Sequence, residues 1–183
     1  MLDFHPDLNS LLVYKSFIIN ICFSYIMKVQ IMTNTKFGNG RKLAELLKKE
    51  FSTDNDVTIA DVKEISPETV AEDVPDAFIL GGAVRMFMSD TKSKKWLKKL
   101  DGLLKKSDKK IKYGTGFLTH SMPTSKVQRY ARKYLGKIEG SLMIEKTYNE
   151  LLTARVEGQK GPIFPEEMEK AKSYIQEFIK WSK

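Results

Sequence analysis

The chain has 183 residues, 42% of them hydrophobic, with Lys+Arg 31 against Asp+Glu 23 and a formal net charge of +8. That length and apolar content suit one domain with a full core. A single cysteine, Cys22, and two distant histidines, His5 and His120, exclude an intramolecular disulfide and a cysteine-built zinc or iron–sulfur site, and make a reducing cytoplasm the expected compartment.

Residues 1–26 differ from the rest. Leu11 to Met27 is strongly apolar, yet short of the roughly 20 residues of a membrane span, and it carries Lys15 in its middle. Asp3 and Asp7 stand where a secretory signal needs basic residues, and no small-residue cleavage site follows. The segment reads as an N-terminal extension placed ahead of a natural start at Met27. A peripheral membrane anchor, or an added strand or helix, is the alternative. Membrane contact is expected only through this segment.

From Met27 onward strand and helix patterns alternate. Lys28–Met32 reads as a strand and Asn39–Phe51 as a helix with apolar residues at Leu43, Ala44, Leu46 and Leu47. Between them lies a loop of hydroxyls, an amide and glycines. Such a strand-to-helix loop aims backbone N–H groups and a helix N-terminus at one spot, which suits a phosphate. Thr35 adds a hydroxyl, and Gly38 and Gly40 let a ligand approach the backbone. An ordinary capped turn is the competing reading.

Val57–Val62 is a second strand, and Ser66-Pro67 opens a short helix as cap and first residue. Ala77–Gly81 is an unbroken apolar run, as in a strand covered on both faces. A lysine-rich helix follows over about 89–105, where Lys92, Lys94, Lys95, Lys98 and Lys99 alternate with Trp96, Leu97 and Leu100. That is the solvated face of an amphipathic helix, and no aromatic–basic pattern on strands argues for nucleic acid. Lys110–Gly114 leads into a loop at Gly114-Thr115-Gly116, a helix runs from about Thr124 to Leu135, and Ser141–Glu145 is a fifth strand. Asn149–Gly161 is a long connection with room for a split strand and a glycine-rich turn, and Phe164–Trp181 is the closing helix.

Five strands each followed by a helix predict an α/β domain over residues 27–183: a three-layer, doubly wound, five-stranded parallel sheet of order 2-1-3-4-5. The loops at Thr33–Gly40, Gly82–Phe87 and Gly114–His120 then meet at one switch point. No paired nucleophile, acid–base pair or metal cluster is visible, so no catalytic or metal-ligating residue is assigned. His120-Ser121 has no orienting acid, and His120 is expected at most to line the crevice.

Thr35-Lys36-Phe37-Gly38-Asn39-Gly40, with Ala44 and Leu47 at fixed offsets, resembles the FMN-phosphate signature of flavodoxins. Asp76–Arg85 is similar to that family's third strand and following loop, and Lys112–Gly116 to its fourth strand and second flavin loop. The resemblance covers about residues 27–183. It implies a flavodoxin-like fold, FMN as cofactor, and a site made of Thr35, Lys36, Phe37, Gly38, Asn39 and Gly40 at the phosphate, Gly82, Ala83, Val84 and Arg85 after strand three, and Thr115, Gly116 and Phe117 after strand four. Two departures stand out: Gly40 replaces the signature threonine, and Gly82-Ala83 replaces the usual Ser-Pro.

The function implied is electron transfer or small flavin-dependent reduction, in which the cofactor carries the chemistry. A redox partner protein, or a small molecule of the NAD(P)H or quinone type, is the expected partner, the basic charge favouring an acidic or anionic one. The resemblance allows an oligomer without identifying an interface. The alternative is a non-catalytic flavodoxin-like interaction or regulatory module with weak or no FMN binding, which the two departures favour.

Overall fold

The computed structural model describes residues 26–51, 55–85 and 88–183, so the proposed extension lies outside the described residues save for Ile26. Chain order is β1 (Lys28–Thr33), α1 (Asn39–Glu50), β2 (Asp56–Asp61), α2 (Pro67–Glu72), β3 (Ala77–Arg85), β4 (Met88–Ser89), α3 (Thr91–Lys106), β5 (Ile111–His120), α4 (Thr124–Glu139), β6 (Ile144–Thr147), β7 (Leu152–Arg155) and α5 (Pro165–Trp181).

The parallel sheet has the order β2-β1-β3-β5-β6, and β7 continues the fifth position by pairing with β5 beyond β6. This is the predicted five-stranded, doubly wound arrangement. Its fifth strand is split, as the length of the 149–161 connection allowed. β4 forms a short antiparallel pair with the end of β3.

Strand alternation supplies the three layers. Val29 and Ile31 of β1, with Ala77 and Ile79 of β3, face a cluster closed by Leu43, Ala44 and Leu47 of α1 and by Ala171, Ile175 and Phe178 of α5. Met32, Phe78 and Leu80 face the opposite side, where α2, α3 and α4 contribute Val70, Trp96, Leu100, Val127 and Tyr134. Trp96 is buried and stacked on Phe78 with ring centroids 5.9 Å apart, while its indole N–H donates to the Ile65 carbonyl at 2.9 Å. Trp181 is 39% exposed and packs on Tyr148 and Phe178 at the end of α5.

Helix starts follow local chemistry. Ser66 caps α2 by accepting from the Thr69 N–H, with Pro67 at the first turn as expected. Asp90 caps α3 by accepting from the N–H groups of Lys92 and Ser93.

The two central strands run past their predicted ends. β3 continues to Arg85 and β5 to His120, paired from Ala77↔Tyr113 through Ala83↔Thr119. Gly82, Gly114 and Gly116 read as loop signals in the sequence, but the glycines of both strands serve here as space. A Cβ on Gly81 would penetrate the Phe117 ring, and one on Gly116 would sit 2.5 Å from the Leu80 carbonyl oxygen. No helix among the described residues is long and apolar enough to cross a membrane.

Candidate functional site

All five sheet positions are parallel, so their C-terminal ends share one edge. There a crevice of about 280 Å³ opens between the loop after β1, the ends of β3 and β5, and the turn after β7. Its lining combines Asn34, Thr35, Lys36, Phe37, Asn39 and Gly40 with Ala83, Val84 and Arg85, then Thr119, His120 and Ser121, and finally Val156, Gly158 and Gln159.

The β1 loop is held by the end of β2 and the turn after it. The Thr35 N–H donates to Asp61 Oδ2 at the end of β2 at 3.2 Å, and Lys63 Nζ donates to the Thr35 carbonyl at 2.7 Å. The Thr35 hydroxyl oxygen accepts from the Gly38 N–H at 2.9 Å, which leaves its own proton available to a ligand. Gly38 takes φ 85°, a left-handed conformation that reverses the chain into α1, and no side chain caps that helix. The N–H groups at the start of α1, from Asn39, Gly40 and Arg41, therefore have no acceptor inside the helix. Buried Asn39 donates its side-chain amide to the Gly161 carbonyl at 2.9 Å, tying this loop to the one before α5.

Gly40 bears directly on the departure from the signature. A Cβ there would lie 3.5 Å from the Thr35 Cβ and 3.7 Å from its hydroxyl, an ordinary contact. The absent threonine side chain thus has room, and it would stand beside the hydroxyl of Thr35.

Positive charge frames the crevice. Arg85 Nη2 donates to the Asn34 carbonyl at 2.8 Å, which holds the guanidinium between the ends of β1 and β3. The ammonium groups of Lys36 and Lys160 stand 5.3 and 5.8 Å from the centre of the Phe37 ring. Asn34 donates its side-chain amide to Asp90 at 2.8 Å, so the cap of α3 also fixes a crevice residue.

Of the residues expected in the site, Thr35, Lys36, Phe37, Asn39, Gly40, Ala83, Val84 and Arg85 meet at the crevice, and Gly38 shapes the loop behind them. Gly82 does not line it. It lies within β3, where a Cβ would come 2.9 Å from the Tyr134 hydroxyl and from Asp90. Thr115, Gly116 and Phe117 are also absent from the lining. The strand expected to end at Gly114 runs on to His120 and carries all three as interior positions of β5. Thr115 is buried, hydrogen-bonded to the Tyr174 hydroxyl and donating to the Glu150 carbonyl at 3.3 Å; Phe117 fills the space above Gly81.

The structure replaces them with Thr119, His120 and Ser121 at the true end of β5, and adds Asn34, Val156, Gly158 and Gln159. His120 is 2% exposed, and burial pushes its pKa below the usual imidazole range. It was expected at most to line the crevice, and it does, from the last position of β5. For Gly158 and Gln159 the signal was the length of the connection before α5.

No protein-family model matches the sequence, and no curated protein does. Solved structures match the fold. A WrbA-like flavodoxin from Agrobacterium tumefaciens has a TM-score of 0.65 at 14% identity over 85% of this chain and 97% of its own. Flavodoxin 1 from Bacillus cereus, in its oxidised form, gives 0.62 at 16% identity over 84% of this chain and 97% of its own. Rubredoxin oxygen:oxidoreductase from Desulfovibrio gigas gives 0.61 at 15% identity over 85% of this chain, which spans only 36% of that protein's length. The chain has a flavodoxin-like fold.

Proposed function

We propose that the crevice binds FMN and that the protein serves in electron transfer or small flavin-dependent reduction. The observation that carries this reading is the loop from Thr35 to Gly40, with a free hydroxyl proton and a run of uncapped helix N–H groups at the switch point of a flavodoxin-like sheet. Those donors fit a phosphate dianion, and the crevice beside them is lined by groups from several strand ends. At about 280 Å³ it lies near the lower end of the range for ligand pockets, so a bound flavin stays partly open to a second reactant.

In this reading Thr35 and the backbone from Lys36 to Gly40 hold the phosphate, with Lys36 adding charge. FMN, when bound, takes up and releases electrons and so supplies the redox chemistry. Arg85, fixed on the Asn34 carbonyl, supplies positive charge at the end of β3 and favours an anionic neighbour. Phe37 offers an aromatic face at the mouth. The reactant is an acidic redox protein or a small molecule of the NAD(P)H or quinone type, met in the cytoplasm.

The second reading is a flavodoxin-like module with weak or no FMN binding. Gly40 favours it, as does the burial of Thr115, Gly116 and Phe117, which removes the expected second flavin loop. Purified protein carrying the whole chain, titrated with FMN, separates the two. Micromolar or tighter binding, seen as quenched flavin fluorescence, supports the first; a folded protein that leaves FMN fluorescence unchanged supports the second.

A further inference from the structure

Two buried acceptors of the crevice accept from nothing. Asn34 is 4% exposed and His120 2%, and both line the crevice. Among the described residues, neither Asn34 Oδ1 nor His120 Nε2 has a hydrogen-bond partner. Their other bonds decide which lone pairs are bare. Asn34 gives its side-chain N–H to the Asp90 carboxylate, which only accepts, so the amide cannot turn over. His120 Nδ1 lies 2.9 Å from the Met122 carbonyl oxygen, which also only accepts, so Nδ1 carries the ring proton. Nε2 of the neutral ring is then an acceptor. Both atoms are almost wholly shielded, with less than 1 Å² of surface each, on residues that line the crevice. Buried polar atoms in folded proteins are nearly always paired, so a ligand that opens the crevice wall onto them finds two acceptors without donors.

We infer that Asn34 and His120 form an acceptor subsite that takes hydrogen-bond donors of the ligand. This rests on the flavin reading of the crevice, where the donors are the ribityl hydroxyls and the imide N–H of FMN. Phosphate oxygens are repelled by bare lone pairs, so the subsite and the phosphate loop engage different parts of one molecule.

The subsite requires a neutral His120, because a proton on Nε2 turns the acceptor into a donor. The charged groups that act on the ring are Glu167 and Lys170 of α5 and Arg155 of β7. Glu167 favours the protonated ring, but Lys170 pairs with it at 3.1 Å and, with Arg155, opposes protonation. Burial adds to that opposition.

The test uses the whole chain with 15N-labelled histidine, titrated with FMN between about pH 5 and 8, the range in which imidazole changes charge. Ring nitrogens are followed by NMR and affinity by flavin fluorescence. The His120 midpoint is expected to move to lower pH on saturation with FMN, and Kd to rise as the pH falls through the midpoint of the free protein. His120→Gln keeps a side-chain acceptor but cannot titrate, so it should lose that part of the pH dependence and retain the part due to the FMN phosphate. Asn34→Ala should weaken FMN binding roughly fivefold, the size of one lost hydrogen bond, with the wild-type pH profile. An unmoved His120 midpoint with FMN bound overturns the subsite alone. Failure to bind FMN at any pH overturns the flavin reading and the subsite with it.

Discussion

Gly40 and Asp90 show how much a single side chain sets at this crevice. A threonine at position 40 meets only ordinary contacts with Thr35, so Gly40→Thr should fold normally and present a second hydroxyl to the phosphate. One such bond is worth about 1 kcal/mol, and isothermal titration should show FMN affinity rising roughly fivefold. Unchanged affinity would mean that the loop does not hold the phosphate. Asp90 caps α3 and also anchors the Asn34 amide. Asp90→Ala should therefore cost about 1–2 kcal/mol in urea unfolding, more than a cap alone, and weaken FMN binding by freeing Asn34. His120 gives a pH prediction with a definite sign. Its folded pKa is depressed, so the unfolded chain binds the proton first. Its contribution is fully present above the unfolded value of about 6.5 and declines as the pH falls below it towards the folded value. Thermal melts should show this decline in the wild type and lack it in His120→Gln.

Elements differ in what their glycines do, and the difference is measurable. Gly116 lies where β5 passes against β3, and its missing side chain leaves room for the Leu80 carbonyl and Ile138. Gly116→Ala should destabilise by at least about 2 kcal/mol, since backbone cannot step aside as a side chain tip can. Gly102 in α3 and Gly136 in α4 are exposed, and nothing lies within 4 Å of a Cβ built on either. Alanine at each should add about 0.5–1 kcal/mol, read from the urea midpoint. In the sequence these glycines look alike. Pairing along β3 and β5 separates them, and it also carries Thr115, Gly116 and Phe117 from an expected loop into the sheet.

At the scale of the whole molecule, the basic charge lies mainly on one side of the sheet. The helices α3 and α4 carry twelve basic side chains against two acidic ones, whereas α1 and α5 carry seven against six. The lysines of the two basic helices act on one another: burial and then Lys133 hold the Lys94 pKa below its ordinary value, Asp90 opposing them and Lys137 adding a smaller push. Lys133→Glu should turn that repulsion into attraction and raise the melting temperature at low salt, an advantage that shrinks as NaCl is added. Both helices begin at the crevice edge of the sheet, so under the proposed flavin reading their charge would favour an acidic partner there.

Strand and helix periodicity, the apolar run of β3 and the Ser66-Pro67 helix start are legible because they are local, set by side chains within one turn or one pleat of each other. Sheet order follows from the alternation of elements, and the hydroxyl- and glycine-bearing loop from the residue types between β1 and α1. The places of Thr115, Gly116 and Phe117 are not legible, because glycine marks either a turn or a close approach and only a paired neighbour strand tells which. Asn34 and His120 carry no distinguishing motif. Their bare lone pairs exist only because Asp90 and the Met122 carbonyl occupy the opposite ends of the two side chains. The layered α/β fold and the donor-rich makeup of the β1–α1 loop were set by the sequence itself. Where the strands end, which side chains share the crevice and which of their atoms stay without a partner among the described residues were set only in tertiary structure, because each depends on contacts between residues far apart in the chain.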